Sequence, residues 1–500
     1  MNALMKLLIL APCCFFFIAL IKLLYDYLWI PLRIQHMLNS EGIKGPPYRF
    51  IHGNNKEVTK MKQKALSKSV GLTDDLFPKV HPHIYTWTNR YGKNFVHWNG
   101  ARPELVISEP ELVKEVLKNS EQIFQKKKLS DIGRKFLGNG LIFIEGGKWA
   151  KHRKLANHTF HGESLKWKGQ EGKEIEVYQE FRLLTSEVIS RTAFGSNYME
   201  GEKIFAILRK LTVIMSRNLS KTRIPLISKL WKSADLLESE KLSKEIKDRL
   251  MKIVKKREDK AVNGEVNSFG SDFLGLLLNA YHDSDAKNRI SLEDVVAECK
   301  TFYFAGQETV NSLLAWIVLH LAIHGDWQEK ARREVIDIFG NQNPHLEGIA
   351  KLKIMTMIIN ETLRMYGPPN GLARTVAREV QLGKLVLPAK LDILPLNIGL
   401  HRDPQLWGDD VHHFKPERFA EGIAKATNYT AAAFIPFGLG PRSCVGMTFA
   451  SIETKVALSM ILQRYTITLS PAYVHSPIPI LTLLPQHGIQ VILEPIHSNA

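Results

Sequence analysis

The sequence predicts a mainly α-helical protein with a smaller β region, carried behind an N-terminal membrane-spanning helix. Three observations lead there. An uncharged run of 15 residues, Leu7 to Ile21, stands near the start of the chain. Most of the remaining chain has helical period, and period-two alternation is confined to short stretches such as Asn94 to Ile107. One segment, Ser291 to His324, is apolar nearly all round; at 1.5 Å per residue its ~34 residues extend about 50 Å, the width of a whole domain.

Composition bounds the class. With 500 residues, 45% of them hydrophobic and 23% charged, the chain can bury a core, which excludes a mostly disordered protein. The net charge of +17 suits nucleic acid, an anionic membrane surface or an acidic protein partner without choosing among them. The four cysteines, Cys13, Cys14, Cys299 and Cys444, form no CxxC pair, which excludes a disulfide scaffold and gives no zinc module.

In chain order the apolar run comes first. If Lys22 snorkels, it extends through Tyr25 to about 19 residues, near the ~20 a helix needs to span a bilayer. A cleavable signal peptide is the rival reading. No small-x-small site comes after the run, however, and Tyr25, Tyr27 and Trp29 line its far end as an interfacial belt, so an uncleaved anchor is expected. Four positive charges after the run, Arg33, Lys44, Arg49 and Lys56, with Asp26 and Glu41 as a partial offset, stand against two before it, Lys6 and the amino terminus; counted as positive charges alone, this places the bulk of the chain in the cytosol. The sequons at Asn157, Asn218, Asn360 and Asn428 should then stay unmodified. Gly42 to Pro47 reads as a stiff extended turn, and Asn94 to Ile107 as a hairpin broken at Gly-Ala-Arg-Pro. Glu258 to Ser271 reads as an exposed polar loop. Ser291 with Asp294 makes a capping-box start for the long helix, and Gly325 its stop.

Two anomalies mark chemistry. Inside the long apolar helix stands Ala305-Gly306-Gln307-Glu308-Thr309; a glycine, a carboxylate and a hydroxyl there go against packing logic, and such inconsistencies mark function. The second is the loop Phe437-Gly438-Leu439-Gly440-Pro441-Arg442-Ser443-Cys444-Val445-Gly446, which ends in a cysteine opening an apolar helix from Val445 to Tyr465. Backbone N–H groups and the helix dipole at that position should lower the thiol pKa. Gly440 and Gly446 allow tight turns and close approach of a flat ligand. The bland alternative for a lone cysteine is a buried, inert thiol. Gly438-x-Gly440 lacks the third glycine of a dinucleotide fingerprint, and no flavin or nicotinamide fingerprint is found. His320 and His324 are spaced like metal ligands, but Leu321 stands where HExxH has glutamate, so core or interface histidines are expected. The pairs His81/His83 and His412/His413 sit in predicted loops without a complete ligand set.

The spacing F-x-x-G-x-R-x-C-x-G resembles the haem-thiolate signature of the cytochrome P450 monooxygenases. Further elements fall in that family's order: Trp149 and Arg153 in W-x-x-x-R, Ala305 to Thr309, Glu361 and Arg364 in E-x-x-R, and Pro416-Glu417-Arg418-Phe419. The E-x-x-R match gains meaning only from its place, since Glu329 and Arg332 share the spacing and i,i+3 pairs are routine on exposed helices. The resemblance covers essentially residue 30 to the end. Position 310 departs from it: Val310 stands where a second Thr or Ser is common.

That resemblance implies a cytochrome P450 fold divided into an anchor at 1–29, a proline-containing hinge at 30–57 and a haem-binding catalytic domain at 58–500. It implies haem b with Cys444 thiolate on the iron, held also by Trp149, Arg153, Arg374, Phe437, Arg442 and Gly446. Glu361, Arg364 and Arg418 would form a buried structural network, and Thr309 with Glu308 would deliver protons for O2 activation. The implied partners are NADPH-cytochrome P450 reductase, O2, the bilayer and a hydrophobic terpenoid- or hormone-like small molecule, with no nucleic acid. The implied location is the endoplasmic reticulum membrane, single-pass, with the catalytic domain cytosolic. The alternative is a haem-thiolate isomerase or dehydratase without oxygen activation, which should lack the acid–Thr pair; a non-enzymatic binding protein would not need Cys444.

Overall fold

The computed structural model describes residues 3–156, 174–195, 198–219, 221, 232–264, 268–367 and 371–496. The sequon at Asn157 lies outside them. Helices dominate, as the sequence predicts, and the strands gather into small sheets.

The N-terminal helix Ala3–Leu24 runs through one wider turn, Tyr25–Trp29, into Ile30–Ser40 without a break. Cys13–Ser40 is long and apolar enough to cross a membrane, and Phe15, Phe16, Phe17 and Ile18 are exposed along it. Its far end is gripped by the body. Leu38 is fully buried, and Tyr48, in T-shaped contact with Trp98 at 4.9 Å, donates its hydroxyl hydrogen to the Tyr27 carbonyl. Helix therefore continues past residue 29, and the extended turn falls at Gly42–Pro47.

The predicted hairpin is present: Phe95–Asn99 pairs antiparallel with Arg102–Ile107, and Phe95, Val96 and Trp98 of the first strand and Val106 and Ile107 of the second are buried. Arg102–Ile107 then runs parallel to Asp392–Pro395, which pairs antiparallel with Arg374–Val376, and Phe124–Lys126 forms the edge. That order sets Lys126 opposite Arg374.

The long helix spans Leu292–Ile323, 32 residues, with both hydrogen bonds of the Ser291/Asp294 capping box formed. Val177–Phe194 packs along it. Part of the central anomaly is packing: a Cβ on Gly306 would lie 2.6 Å from Ile189 Cδ1, so glycine lets the two helices close together. His320 is a core histidine as expected, stacked on Phe414 at 4.1 Å, and burial pushes its pKa well below the usual value.

Four expectations need correction. Glu258–Val262 is not loop but the last part of the helix Ala234–Val262; Lys, Glu and Asp exposed on a helix do not oppose it. Arg257 ties down the return by donating to Phe269 O and Phe194 O at 2.8 Å each. The helix after the cysteine loop runs Met447–Leu462, not Val445 to Tyr465, because Tyr465-Thr-Ile-Thr-Leu alternates and joins a sheet with Gln490–Pro495. Gly325 starts the next helix rather than merely stopping the long one; the break falls at His324, φ −109° and ψ 78°. His83 lies inside the helix Pro82–Tyr91 rather than in a loop.

Candidate active site

Gly438 and Gly440 take left-handed φ of +75° and +76°, and a Cβ on Gly440 would meet Leu117 O at 2.6 Å. Only glycine lets the loop turn there against that backbone. The loop closes where Cys444 N–H donates to Phe437 O at 2.8 Å. Gly446 contributes differently. Its φ is ordinary, −93°, but the nearest atom to an added Cβ is Cys444 Sγ at 4.0 Å, so the space beside the sulfur is open.

Cys444 precedes the helix by three residues, with Gly446 as its N-cap, instead of opening it. The dipole fades beyond the first turn, so its pull is weaker than the sequence suggests. Cys444 is accessible from the cleft yet crowded by protein. Burial pushes its thiol pKa up, while the Gly446 N–H and Arg153 act in the opposite direction without overcoming that. The expected depressed pKa is therefore absent in the protein alone.

The sulfur faces a cleft of about 2800 Å³, beyond the ~300–1,000 Å³ of an ordinary ligand pocket. Ala305, Gly306 and Thr309 of the long helix form another part of its wall, as do Val310 and Phe302. The cleft thus brings the two sequence anomalies to one place. It also runs out along the N-terminal helix, touching Phe15, Ile18 and Tyr27.

One wall is cationic. Arg153 donates to Ser443 O at 2.6 Å, and Arg442 lies 4.2 Å over the Trp149 ring, donates to Ile144 O at 2.7 Å and pairs with Glu145. Arg374, 2% exposed, donates to Leu372 O and Ala373 O at 3.1 Å each. Burial and the neighbouring Arg442 lower the Arg374 pKa to about 10. Burial, Arg374 and Arg442 bring Lys126 down to about 7. Among the described residues the Nε groups of Arg374 and Arg442 have no protein partner. A thiol on the floor, an open flat space above Gly446 and buried guanidinium N–H groups on one side fit a flat iron porphyrin with two carboxylates. Trp149, Arg153, Arg374, Phe437, Arg442, Cys444 and Gly446 all line this one cleft.

Glu361 and Arg364, both 0% exposed in their side chains, pair twice at 2.8 Å through Arg364 Nε and Nη2. Lys415 N–H adds a bond to Glu361 Oε1 at 2.9 Å, and Arg418 Nε stands 3.5 Å from the same oxygen. Arg364 donates to His401 O at 2.9 Å, and Arg418 to Trp407 O at 2.8 Å. The three predicted residues meet, away from the cleft. The decoy Glu329/Arg332 also pairs, at 3.2 Å, but its carboxylate is half exposed.

Glu308 stands behind the cleft wall. Burial pushes its pKa up, against hydrogen bonds from Tyr178 Oη at 3.1 Å and Thr482 Oγ1 at 3.3 Å. The Thr309 hydroxyl donates to Ala305 O at 2.7 Å, one turn earlier in its own helix. Sequence reasoning missed Tyr178, Thr482, Lys126 and Glu145. Only Lys126 carried a local signal, as the first of three consecutive lysines.

Comparison with known proteins gives the family. A family model described as Cytochrome P450 matches residues 75–493. The chain is 51% identical to Cytochrome P450 CYP749A22 of Panax ginseng over 97% of its own length and 96% of that protein. It is 42% identical to 11-oxo-beta-amyrin 30-oxidase of Glycyrrhiza uralensis, covering 93% and 94% of the two chains. It is 38% identical to 7-deoxyloganic acid hydroxylase of Catharanthus roseus, covering 94% and 95%.

Proposed function

The chain belongs to the cytochrome P450 family, and from that premise we propose that it hydroxylates an apolar terpenoid- or hormone-like small molecule. It is a monooxygenase whose cofactor is haem with the thiolate of Cys444. When bound, haem supplies the oxygen chemistry; the protein supplies position, a dry cleft and protons. The observation that carries the reading is one cleft walled by Cys444, by the Arg153/Arg374/Arg442 cations and by Ala305, Gly306 and Thr309.

Each residue then has a role. Cys444 Sγ would hold the iron, and Phe437 and Gly446 would shape the surface beside it. Arg153, Arg374 and Arg442 would hold the carboxylates of the cofactor, with Trp149 stacked under Arg442. Glu361, Arg364 and Arg418 fix the backbone that presents the cysteine loop. Glu308 stores a proton in a site where burial favours the neutral acid. Thr309 leaves its bond to Ala305 O and donates into the cleft when an acceptor is present. Electrons come from NADPH-cytochrome P450 reductase. Residues 1–29 anchor the chain in the endoplasmic reticulum membrane as a single pass, 30–57 join it to the body, and 58–500 form the cytosolic haem-binding domain.

The terpenoid class is supported by two relatives named as acting on 11-oxo-beta-amyrin and on 7-deoxyloganic acid. An isomerase or dehydratase is not favoured, since the acid–Thr pair is intact and those relatives are named oxidase and hydroxylase. The test is reconstitution of the full chain with the reductase, NADPH and isotopically labelled O2, using triterpenoids and iridoids that perturb the haem spectrum. One labelled oxygen should enter the product. Turnover without label would overturn the monooxygenase reading. In the same assay Thr309→Ala should still consume NADPH but release more peroxide and less product; unchanged coupling would make Thr309 only a helix-bending residue.

A further inference from the structure

The hydrogen bonds of Glu308 lead away from Thr309. Thr309 Oγ1 is engaged with its own helix at Ala305 O, 2.7 Å away, whereas Glu308 Oε1 accepts from Thr482 Oγ1 at 3.3 Å. Thr482 is 3% exposed and lines the same cleft as Cys444. It lies at the turn of the hairpin Pro477–Pro479 with Leu483–Pro485. That turn is fastened: Leu483 O accepts from Ser312 Oγ at 2.8 Å and from Trp316 Nε1 at 2.9 Å, one turn apart on the helix that carries Glu308. The clamp keeps Thr482 and Glu308 in register although 174 positions separate them in sequence. On the other side Tyr178 Oη donates to the same oxygen, and the Tyr178 N–H is held at 2.9 Å by the N-cap Glu176. The carboxyl is thus fixed between one hydroxyl that borders the cleft and one that does not line it.

We propose that Thr482 is a second hydroxyl in proton delivery, linking Glu308 to the cleft alongside Thr309. The proposal rests on the reading of Glu308 as the stored proton donor. In the protonated acid the bond between Thr482 and Glu308 reverses: the Thr482 hydroxyl turns its hydrogen toward the cleft, the Glu308 O–H donates to Thr482 Oγ1, and as that proton crosses, the Thr482 hydroxyl releases its own to an acceptor water in the cleft. The hydroxyl is regenerated, and Glu308 is left as carboxylate until water returns a proton. No bond other than O–H changes. A hydroxyl suits this task because it donates and accepts at one atom.

The full-length enzyme with its reductase tests this through Thr482→Val, which keeps the shape of the side chain, and Thr482→Ser, which keeps the hydroxyl. Product formed per NADPH should fall about tenfold in Thr482→Val, less than the ~100-fold a sole proton donor supplies, because the Thr309 route remains. Peroxide should rise correspondingly, the solvent isotope effect on product formation should increase, and Thr482→Ser should restore all three. A readout independent of turnover is the infrared band of the Glu308 carboxyl, assigned by its loss in Glu308→Gln; it should shift in Thr482→Val and not in Thr482→Ser. If Glu308→Gln uncouples turnover while Thr482→Val leaves both coupling and the band unchanged, Thr482 has no part and Glu308 keeps its role. Equal uncoupling in the Val and Ser variants with an unchanged isotope effect would reduce Thr482 to a pocket wall and overturn the proposal. If Glu308→Gln itself leaves coupling intact, the underlying reading of Glu308 fails, and this one with it.

Discussion

Glu361→Ala should unfold the catalytic body far more readily than any surface charge substitution. The change removes the carboxylate that Arg364 grips twice at 2.8 Å where neither side chain meets water, so a guanidinium is left buried without its counter-charge. Breaking such a pair costs about 3–5 kcal/mol. The Lys415 N–H loses its acceptor as well, and an unsatisfied buried donor adds about 1–3 kcal/mol. The two terms overlap, so about 4–6 kcal/mol is expected, against a total stability of about 5–15 kcal/mol for a folded domain. At 1.4 kcal/mol per decade, the folded-to-unfolded ratio falls by about a thousandfold or more. Denaturant unfolding of the purified full chain, with yield of haem-loaded protein as a second measure, reads the effect. Glu329→Ala is the internal control. It breaks the same E-x-x-R spacing where the carboxylate is half exposed, so it should cost at most about 1 kcal/mol. Equal unfolding midpoints for the two variants would refute the argument that burial, and not the motif, sets the energy.

Three other outcomes are expected. Reduced wild-type protein should give the strongly red-shifted Soret band of a thiolate-ligated haem with carbon monoxide, and Cys444→Ser should lose it; survival of that band in the variant would displace Cys444 as ligand. In cells, Asn218, Asn360 and Asn428 should carry no glycan, and a glycosidase-sensitive mobility shift mapped to any of them would reverse the topology. Glu453 is buried on the helix Met447–Leu462, both its carboxyl oxygens lack partners among the described residues, and burial raises its pKa well above the ordinary value. The folded state therefore holds this proton longer than the unfolded state. Stability should fall as pH rises above the usual carboxylate range, by at most about 1.4 kcal/mol per pH unit. Glu453→Gln should remove that component of the slope, as measured by unfolding midpoints across the window; identical slopes in both proteins would contradict it.

Legibility in the sequence tracks a physical division. The cysteine loop, the Ala305–Thr309 segment and the hairpin at 95–107 are readable because each is local: glycines where the chain turns, polar groups where packing wants none, alternation broken by a turn. The Arg364 helix is readable only by its order relative to Pro416–Phe419, because spacing alone cannot separate it from Glu329/Arg332. Thr482 and Tyr178 are not readable at all. Their meaning arises when segments 174 and 130 residues away converge on one carboxylate oxygen. The end of the Ala234–Val262 helix is obscured for a different reason. Its charged stretch reads as loop, although lysine and glutamate are good helix formers in water. The thiol pKa differs in direction from the local expectation because burial, which opposes the dipole and the N–H, depends on how the whole cleft closes around the sulfur.

The cleft does not end at the surface of the globular body; it continues along the N-terminal helix to Phe15 and Ile18. On the proposed reading, in which that helix spans a bilayer, a molecule dissolved in lipid beside it would reach the floor of the cleft without first being hydrated. The quantity that governs occupancy is then the mole fraction of the molecule in the bilayer, not its amount per litre of water. For a substrate of the proposed apolar class, each CH₂ moved from water to lipid contributes about 0.8 kcal/mol, so nearly all of it would reside in the bilayer. Two preparations with the same total substrate but different amounts of lipid therefore present the enzyme with different effective concentrations. Doubling the lipid halves the substrate density beside the helix.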